Sequence, residues 1–206
     1  EDMKYLLYLS AAESQLWGND GSGWRQVMGE PQGPVWVVTD LAEESFAEIK
    51  TPKLFGSDRS AYISRQLATR YPDTPYRAFM TPAQDGDLIS MIAPTRYVLF
   101  GVEAAERLDT ELDAVPVPVV GVWPVSMLLA QSGMDESLPD SLFVVLPGSG
   151  TLRIVYLKNG TPVLTRLTQT PNDIDAQLDE ITRTLRHLET RRWCRATDRL
   201  FSLVAG

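Results

Sequence analysis

An α/β fold in two lobes is predicted by a β-meander near the C-terminus, by the long helix that follows it, and by alternating strands and helices before it. The meander spans 141–167, where three apolar runs are separated by Pro147-Gly148-Ser149-Gly150 and by Lys158-Asn159-Gly160. Asn-Gly between two alternating runs favours a tight hairpin, because both turn residues must tolerate positive φ. These runs predict three antiparallel strands covered on both faces.

The long helix is expected directly after the meander, from about Pro171 to Thr190. Thr170 is a candidate N-cap, Pro171 suits the first helical position, and Asp173 favours the positive end of the helix dipole. Apolar residues recur at steps of four and three and form one stripe, which we expect to face the meander: Ile174, Leu178, Ile181, Leu185 and Leu188.

Strands and helices alternate through the first two thirds of the chain, which favours layered α/β packing. Residues 40–48 are interpreted as partly helical, with Asp40, Glu43, Glu44 and Glu48 facing solvent. The other expected elements are a hairpin over 5–28, strands at 35–39, 76–81, 87–93, 97–100 and 117–122, and helices at 57–71, 102–112 and 123–132. The acidic linker 133–139 suggests a first lobe at 1–135 and the start of a second at 136–206.

Composition narrows the classes of function. The 206-residue chain has a net charge of −8, which argues against nucleic acid as a main partner, because phosphate binding needs clustered Lys and Arg. A late group of arginines from Arg183 to Arg199 is interleaved with acids and is interpreted as a solvated helix face; a patch facing anionic lipid is the alternative. The one cysteine, Cys194, excludes a disulfide within the chain and a thiolate metal cage.

Few residues suggest catalysis. Gly148-Ser149-Gly150 could cradle a phosphate, but no Gly-Lys-Ser/Thr follows, so a hairpin turn is the preferred interpretation. Ser126 lacks the Gly-x-Ser-x-Gly pattern of a nucleophile elbow. The close carboxylate pairs are interpreted as solvated surface: Asp85 with Asp87, Glu103 with Glu106, and Asp135 with Glu136. We therefore predict no catalytic residue, no metal site and no cofactor.

Two tryptophans are candidates for partner binding. Trp17 and Trp24 flank the polar tip of the first predicted hairpin, where they could be partly open to solvent. Tryptophan is enriched at binding hot spots. Burial in the core is the alternative interpretation, since large aromatic residues are mostly buried.

The sequence also resembles bacterial proteins of the PilM type. The matching residues are Ile49-x-x-Pro52-x-Leu54-x-Gly56-x-Asp58-Arg59, Arg65-x-Leu67, Pro72-x-Thr74-Pro75-Tyr76-Arg77, Gly121-Val122-Trp123-Pro124-Val125-Ser126, and Asn159-Gly160 with Thr165-Arg166-Leu167. Relatives of this kind are similar to the cytoplasmic actin-like domains of PilM, GspL and MshI-like proteins. The resemblance implies an actin-like (ribonuclease H-like) fold that docks other proteins of a pilus or secretion platform at the inner membrane.

The resemblance also implies more chain than is present. An actin-like second half is longer than 136–206, so we expect the natural protein to continue past Gly206, with Arg199–Ala205 as the start of another strand. No stretch reaches the ~20 apolar residues of a membrane span. Any membrane attachment is therefore expected through a segment beyond Gly206, and a homodimer is left open.

The chain departs from actin-like ATPases at both phosphate turns. Those enzymes place Asp-x-Gly in the first hairpin of each half, where backbone N–H groups and a carboxylate-bound Mg²⁺ hold the phosphates. Here the turns read Ser10-Ala11-Ala12-Glu13 and Gly148-Ser149-Gly150. We therefore expect a non-hydrolysing scaffold. The alternative is an ATPase or phosphotransferase with a divergent phosphate site, for which Ser10, Glu13 and the second turn are the nucleotide candidates, and Glu13 or Asp20 would have to hold a metal.

Overall fold

Three β-sheets and four helices make up the described part of the computed structural model, which covers residues 3–82, 92–132 and 141–193. The strands are β1 Lys4–Ser10, β2 Ser14–Asn19, β3 Trp24–Gln26, β4 Val35–Asp40, β5 Glu44–Lys50, β6 Arg77–Met80, β7 Arg96–Val102, β8 Val119–Pro124, β9 Ser141–Gly148, β10 Thr151–Lys158 and β11 Thr161–Gln169. The helices are α1 Gly56–Arg70, α2 Ala105–Asp113, α3 Val125–Ser132 and α4 Ile174–Thr190.

The N-terminal sheet has five strands in the order β3-β2-β1-β4-β8. β1, β2 and β3 form antiparallel pairs, whereas β4 lies parallel to both β1 and β8. One face of this sheet packs on α2 through Val35, Val37 and Leu108. This sheet positions the carboxyl ends of β1 and β4 side by side, with Ser10 opposite Asp40.

The middle sheet (β5-β7-β6) and the meander (β11-β10-β9) complete the core. The middle sheet packs on α1 through Ile63, Leu67 and Leu99. Its other side meets α3 and the meander in one apolar cluster: Met80, Val98, Phe100, Met127, Ala130, Val144, Val155 and Leu157. The meander also packs on α4, so β10 is buried on both faces. The prediction of a meander covered on both faces is therefore confirmed.

The hairpin signal in the meander is confirmed as well. β10 and β11 are joined by Asn159 and Gly160, whose φ values are +50° and +66°. Both residues therefore adopt the left-handed conformation that the Asn-Gly pair tolerates.

The helical interpretation of 40–48 is wrong. β4 extends to Asp40, a tight turn follows, and β5 begins at Glu44 and pairs with β7. Asp40 and Glu44 are buried rather than exposed. The acids in this segment are spaced as on an amphipathic helix. Strand pairing with β7 and contact with an arginine far along the chain have the larger effect, so the segment forms a turn and a strand.

The start of the long helix also differs from the prediction. The N-cap is Asp173, whose carboxylate accepts the N–H of Ala176 at 3.2 Å, and not Thr170. Ile174 and Leu178 are 73% and 53% exposed. The second half of the stripe faces the meander as predicted, because Leu188 is fully buried there and Ile181 and Leu185 pack against the same cluster. Glu180 and Thr184 are buried beside them.

Glu180 was not expected inside, and it is held there by ion pairs with Arg166 and Arg183 at 2.9 and 3.1 Å. Several sequence-based expectations lie outside the described residues: the linker 133–139, most of the strand 87–93, Cys194 and Arg199–Ala205. None of the described helices combines the length and the hydrophobicity that crossing a membrane requires.

Candidate functional site

The turn between β1 and β2 is closed by the side chain of Ser10. Its Oγ accepts the N–H groups of Ala12 (3.3 Å) and Glu13 (3.1 Å) and donates to the Glu13 carbonyl oxygen (3.0 Å). The Glu13 carboxylate in turn accepts the side-chain amide of Gln15 at 3.0 Å. Successive N–H groups in such a turn are the groups that hold a phosphate. Two of them are already satisfied inside the turn.

The turn between β9 and β10 is closed by the segment that leads into α4. The N–H of Gly150 donates to Asn172 Oδ1 at 3.0 Å, and the Gly150 carbonyl accepts the N–H of Thr170 at 3.0 Å. At Gly148 a Cβ atom would lie 2.4 Å from Thr151 Oγ1, so a larger residue there would require the Thr151 side chain to move. Ser149 is exposed at the tip. This turn is therefore a hairpin in which the N–H and the carbonyl of Gly150 are bound by residues of the same chain.

A buried ion pair joins the five-stranded sheet to the meander. Arg153 on β10 is 1% exposed, and its Nε donates to Asp40 Oδ1 at 2.7 Å. Its two terminal nitrogens donate to the Leu41 carbonyl (2.6 Å) and to Thr165 Oγ1 (3.1 Å). One guanidinium therefore connects β4, the β4–β5 turn, β10 and β11.

Glu44 lies beside this pair and is surrounded by donors. Its Oε1 accepts the hydroxyl of Thr39 (3.0 Å) and the N–H of Leu41 (3.3 Å), and its Oε2 accepts the hydroxyl of Ser126 (3.1 Å). A terminal nitrogen of Arg153 lies 3.8 Å from Oε2. Ser126, at the start of α3, therefore orients a carboxylate and does not face a histidine partner.

Tyr8 completes this group, which we call the polar cluster: Tyr8, Asp40, Glu44, Ser126 and Arg153. The hydroxyl of Tyr8 donates to Asp40 Oδ2 at 2.5 Å, and burial, reinforced by the Asp40 charge, raises the pKa of Tyr8 well above its usual range. Burial also raises the pKa of Glu44 to about 7, with Asp40 adding to the rise and Arg153 opposing it. Two carboxylates thus share one guanidinium in a dry environment.

The polar cluster adjoins the first turn and follows the second turn along β10. Ser10 is the register partner of Asp40, and Arg153 follows Ser149 by four residues, roughly 13 Å along a strand. The side chains that meet there bind one another. Across residues 3–82, 92–132 and 141–193, no group of three or more His, Cys, Asp or Glu is arranged to hold a metal ion.

Asp20, the other acid considered for a metal, serves the hairpin tip. Its Oδ1 accepts the N–H (3.1 Å) and the hydroxyl (2.6 Å) of Ser22, and its Oδ2 accepts Arg25 at 2.6 Å. The Ser22 hydrogen bonds lower the pKa of Asp20. Both carboxylate oxygens are therefore bound within the loop between β2 and β3.

The predicted tryptophans lie on the open face of the five-stranded sheet. Leu6 pairs with both Trp17 and Trp36, and Asn19, two residues beyond Trp17, pairs with Trp24. These side chains therefore share one face, because a strand alternates with period two. Trp24 and Trp36 are 46% and 48% exposed, and Trp17 is half-buried. We call Trp17, Leu6, Trp36 and Trp24 the tryptophan face.

At β8 the tryptophan face is bordered by Trp123. The Trp36 and Trp123 rings lie 5.9 Å apart. Trp123 folds over Gly121, where a Cβ atom would come within 2.5 Å of the indole. Trp17, Trp24 and Trp36 belong to none of the four apolar clusters of the described residues.

Sequence reasoning missed the polar cluster. The sequence patterns predict that Asp40 and Glu44 face solvent, and they predict no role for Arg153. The available signal was a lone arginine inside a run that is otherwise apolar, because a charge at an inward position of a buried strand needs a partner. Its partner lies more than one hundred residues earlier, which no local pattern indicates.

Comparison with solved structures finds this fold in proteins of two assembly systems. A PilM–PilN type IV pilus biogenesis complex aligns with a TM-score of 0.58 and 19% identity, over 98% of this chain and 81% of that chain. The cytoplasmic domain of EpsL, an inner membrane component of the type II secretion system of Vibrio cholerae, aligns with a TM-score of 0.52 and 15% identity, over 99% and 83%. No family model and no curated protein matches the sequence.

These alignments confirm the predicted fold class and the resemblance to PilM-type and GspL-type domains. At identities below one fifth they establish the shared fold alone. The division at residue 135 remains a prediction.

Replacing Arg153 with methionine should strongly destabilise the domain. Asp40 and Glu44 would stay buried without their counter-charge, which typically costs about 3–5 kcal/mol. Denaturant titration measures the loss. Arg96→Met is the matched control, because its 2.7 Å pair with Glu48 is largely exposed and should contribute less than about 1 kcal/mol. Equal losses in the two variants would contradict the assignment. Adding Asp40→Asn and Glu44→Gln to Arg153→Met should restore most of the stability.

Glu44 should make stability fall as the pH rises. Burial raises the pKa of Glu44 from the ordinary 4.5 of a glutamate side chain to about 7, so the folded state binds the proton more tightly. The contribution is complete below pH 4.5, is lost between pH 4.5 and 7, and amounts to roughly 3 kcal/mol. We expect the unfolding free energy of wild type minus that of Glu44→Gln to fall over this range and to level off above it. A difference that is constant or rises with pH would refute the assignment.

Proposed function

We propose that this protein is a non-catalytic actin-like scaffold domain that binds partner proteins in a bacterial pilus-biogenesis or secretion platform at the inner membrane. The observation that carries the proposal is the closure of both phosphate turns by the chain's own side chains. Ser10 occupies two N–H groups of the first turn, and Asn172 occupies that of Gly150 in the second. The fold shared with PilM and EpsL supports the setting.

The environment between the turns also disfavours a nucleotide. A triphosphate entering there would meet the carboxylates of Asp40 and Glu44. Two arginines nearby are already bound: Arg153 to Asp40, and Arg107 to the carbonyl oxygen of Ser10 at 2.5 Å. Like charges in a poorly solvated site repel strongly. A divalent metal would be needed to offset this repulsion, and the candidate acids Glu13 and Asp20 are both engaged in their own loops.

Protein binding is the remaining role that the fold supports. In the pilus structure the domain of this fold was solved together with a protein, PilN. We propose that this chain likewise binds a protein, from a cytoplasmic position at the inner membrane.

The tryptophan face is the proposed docking surface, and an amphipathic helix of the partner is the proposed occupant. Sheet faces in layered folds are buried by helices. The row from Gln26 to Gly121 crosses five strands, about 19 Å at the spacing of neighbouring strands, which matches a helix of about 13 residues. Exposed Trp24 and Trp36 would supply the aromatic anchors that dominate such contacts.

A calorimetric titration with Mg–ATP and with ADP tests the first part of the proposal. We expect no binding heat up to millimolar nucleotide and no shift of the melting temperature, because the turn N–H groups are occupied. An ATP-binding protein titrated in the same buffers serves as the positive control. Micromolar binding that is lost in Glu13→Gln would instead support the ATPase or phosphotransferase alternative.

Substitution of the exposed tryptophans tests the docking surface. A photo-cross-linking residue at position 24 would identify the bound protein in the natural host, and the purified protein would then be titrated with the domain. Trp24→Ala/Trp36→Ala should weaken that binding at least about tenfold, or 1.4 kcal/mol. Ile174→Ser/Leu178→Ser changes exposed apolar residues on α4 and should leave it unchanged. Equal affinity in both variants, or a cross-link to a second copy alone, would refute the helix-docking proposal.

A further inference from the structure

The two faces of β10 bind different parts of the molecule. Leu152, Ile154 and Tyr156 pack towards α4. Arg153, Val155 and Leu157 alternate with them and face the N-terminal part of the chain. β10 therefore contributes Arg153, Val155 and Leu157 to the contact between the meander and the preceding part of the chain, where Val144 of β9 also packs.

This joint has an apolar end and a polar end. Val155 and Leu157 pack with Phe100 and Met127 in the apolar cluster that includes the middle sheet and α3. Arg153 lies closer to the β9–β10 turn and binds Asp40, whose strand ends beside Ser10. The polar end therefore lies on the side of the two turns, which we call the mouth, and the apolar end lies farther along β10 from them.

We propose that Arg153 is a built-in latch that holds the meander against the five-stranded sheet at this mouth, so that the arrangement of the two parts, and with it partner binding, is independent of nucleotide. The proposal rests on the proposed function, since it concerns how a scaffold of this fold keeps its shape. Arg153 acts here as a positioning residue. Its bonds take the place of those that a ligand would make to both sides of a cleft.

The geometry of the guanidinium supports a positioning role more than a stabilising one. A buried ion pair is often no more stabilising than apolar residues of the same volume, so its retention needs another reason. Arg153 uses all three of its nitrogens on separate partners: Asp40, Leu41 and Thr165. The planar fork fixes directions as well as distances. Apolar packing at the same place would resist separation without fixing the orientation of the two parts.

Without the Arg153 contacts, we expect the two parts of the molecule to separate at the mouth. The apolar end would remain in contact and act as a pivot, while the turns at Glu13 and Ser149 would move apart. Movement about a packed pivot is a common form of domain opening. Both turn positions are exposed, so labels can be attached there without disturbing the core.

The test is a distance measurement between spin labels at Glu13→Cys and Ser149→Cys in a Cys194→Ser background. With Arg153 present we expect one narrow distance distribution that Mg–ATP does not change. The neutral variant Asp40→Asn/Glu44→Gln/Arg153→Met removes the latch without leaving a buried charge. It should add a population longer by more than the roughly 3 Å of one hydrogen bond.

Further variants keep the proposal falsifiable. Arg153→Lys retains the charge but not the fork, so it should broaden the distribution even if the neutral variant fails to fold. Arg96→Met should leave the distribution as in wild type. A neutral or lysine variant as narrow as wild type would overturn the latch. Binding of Mg–ATP by the unsubstituted domain would overturn the proposed function instead, so the two failures are distinguishable.

Discussion

The structure depends on one buried contact, the pairing of Arg153 with Asp40. A guanidinium placed in an otherwise apolar strand must find an opposite charge and hydrogen-bond acceptors, because an unpaired buried charge is very costly. Here it finds them at the end of β4 and in the turn that follows. This requirement explains why the β4–β5 turn has its observed shape, why Glu44 is drawn inside, and why the meander lies against the N-terminal sheet.

The pairing of Arg153 with Asp40 also accords with the contacts in the two hairpin turns. A phosphate-binding cleft needs free N–H groups on both sides and a cation between them. In this protein Ser10 and Asn172 satisfy the N–H groups, and the cation is a side chain of the protein itself. The actin-like framework is retained, while the groups that would face a nucleotide face one another.

Local patterns predicted much of the fold, and long-range electrostatics limited the rest. The meander was predictable because Asn159-Gly160 and the flanking β-branched runs act within a few residues. The turn and strand at residues 40–48 were not predictable, since the acids there repeat with a helical spacing and their partner, Arg153, lies in a distant strand. On α4 the apolar stripe correctly predicted that Ile181, Leu185 and Leu188 pack on the meander. It did not predict Glu180, which turns inward towards Arg166. At the site, the turns were located correctly, but the side chains that close them could be identified only from the folded contacts.

Burial of β10 on both faces has a consequence for how the chain reaches this structure. A strand that slips by one residue exchanges its two faces. For β10 such a slip would move Arg153 into the apolar layer beneath α4 and would bring Leu152 or Ile154 against Asp40. A meander paired in the wrong register would therefore lose a large part of its free energy of folding at Arg153 alone. Arg153 thus disfavours incorrect pairing of β10. The other side chains of this strand are similar enough to pack in either register.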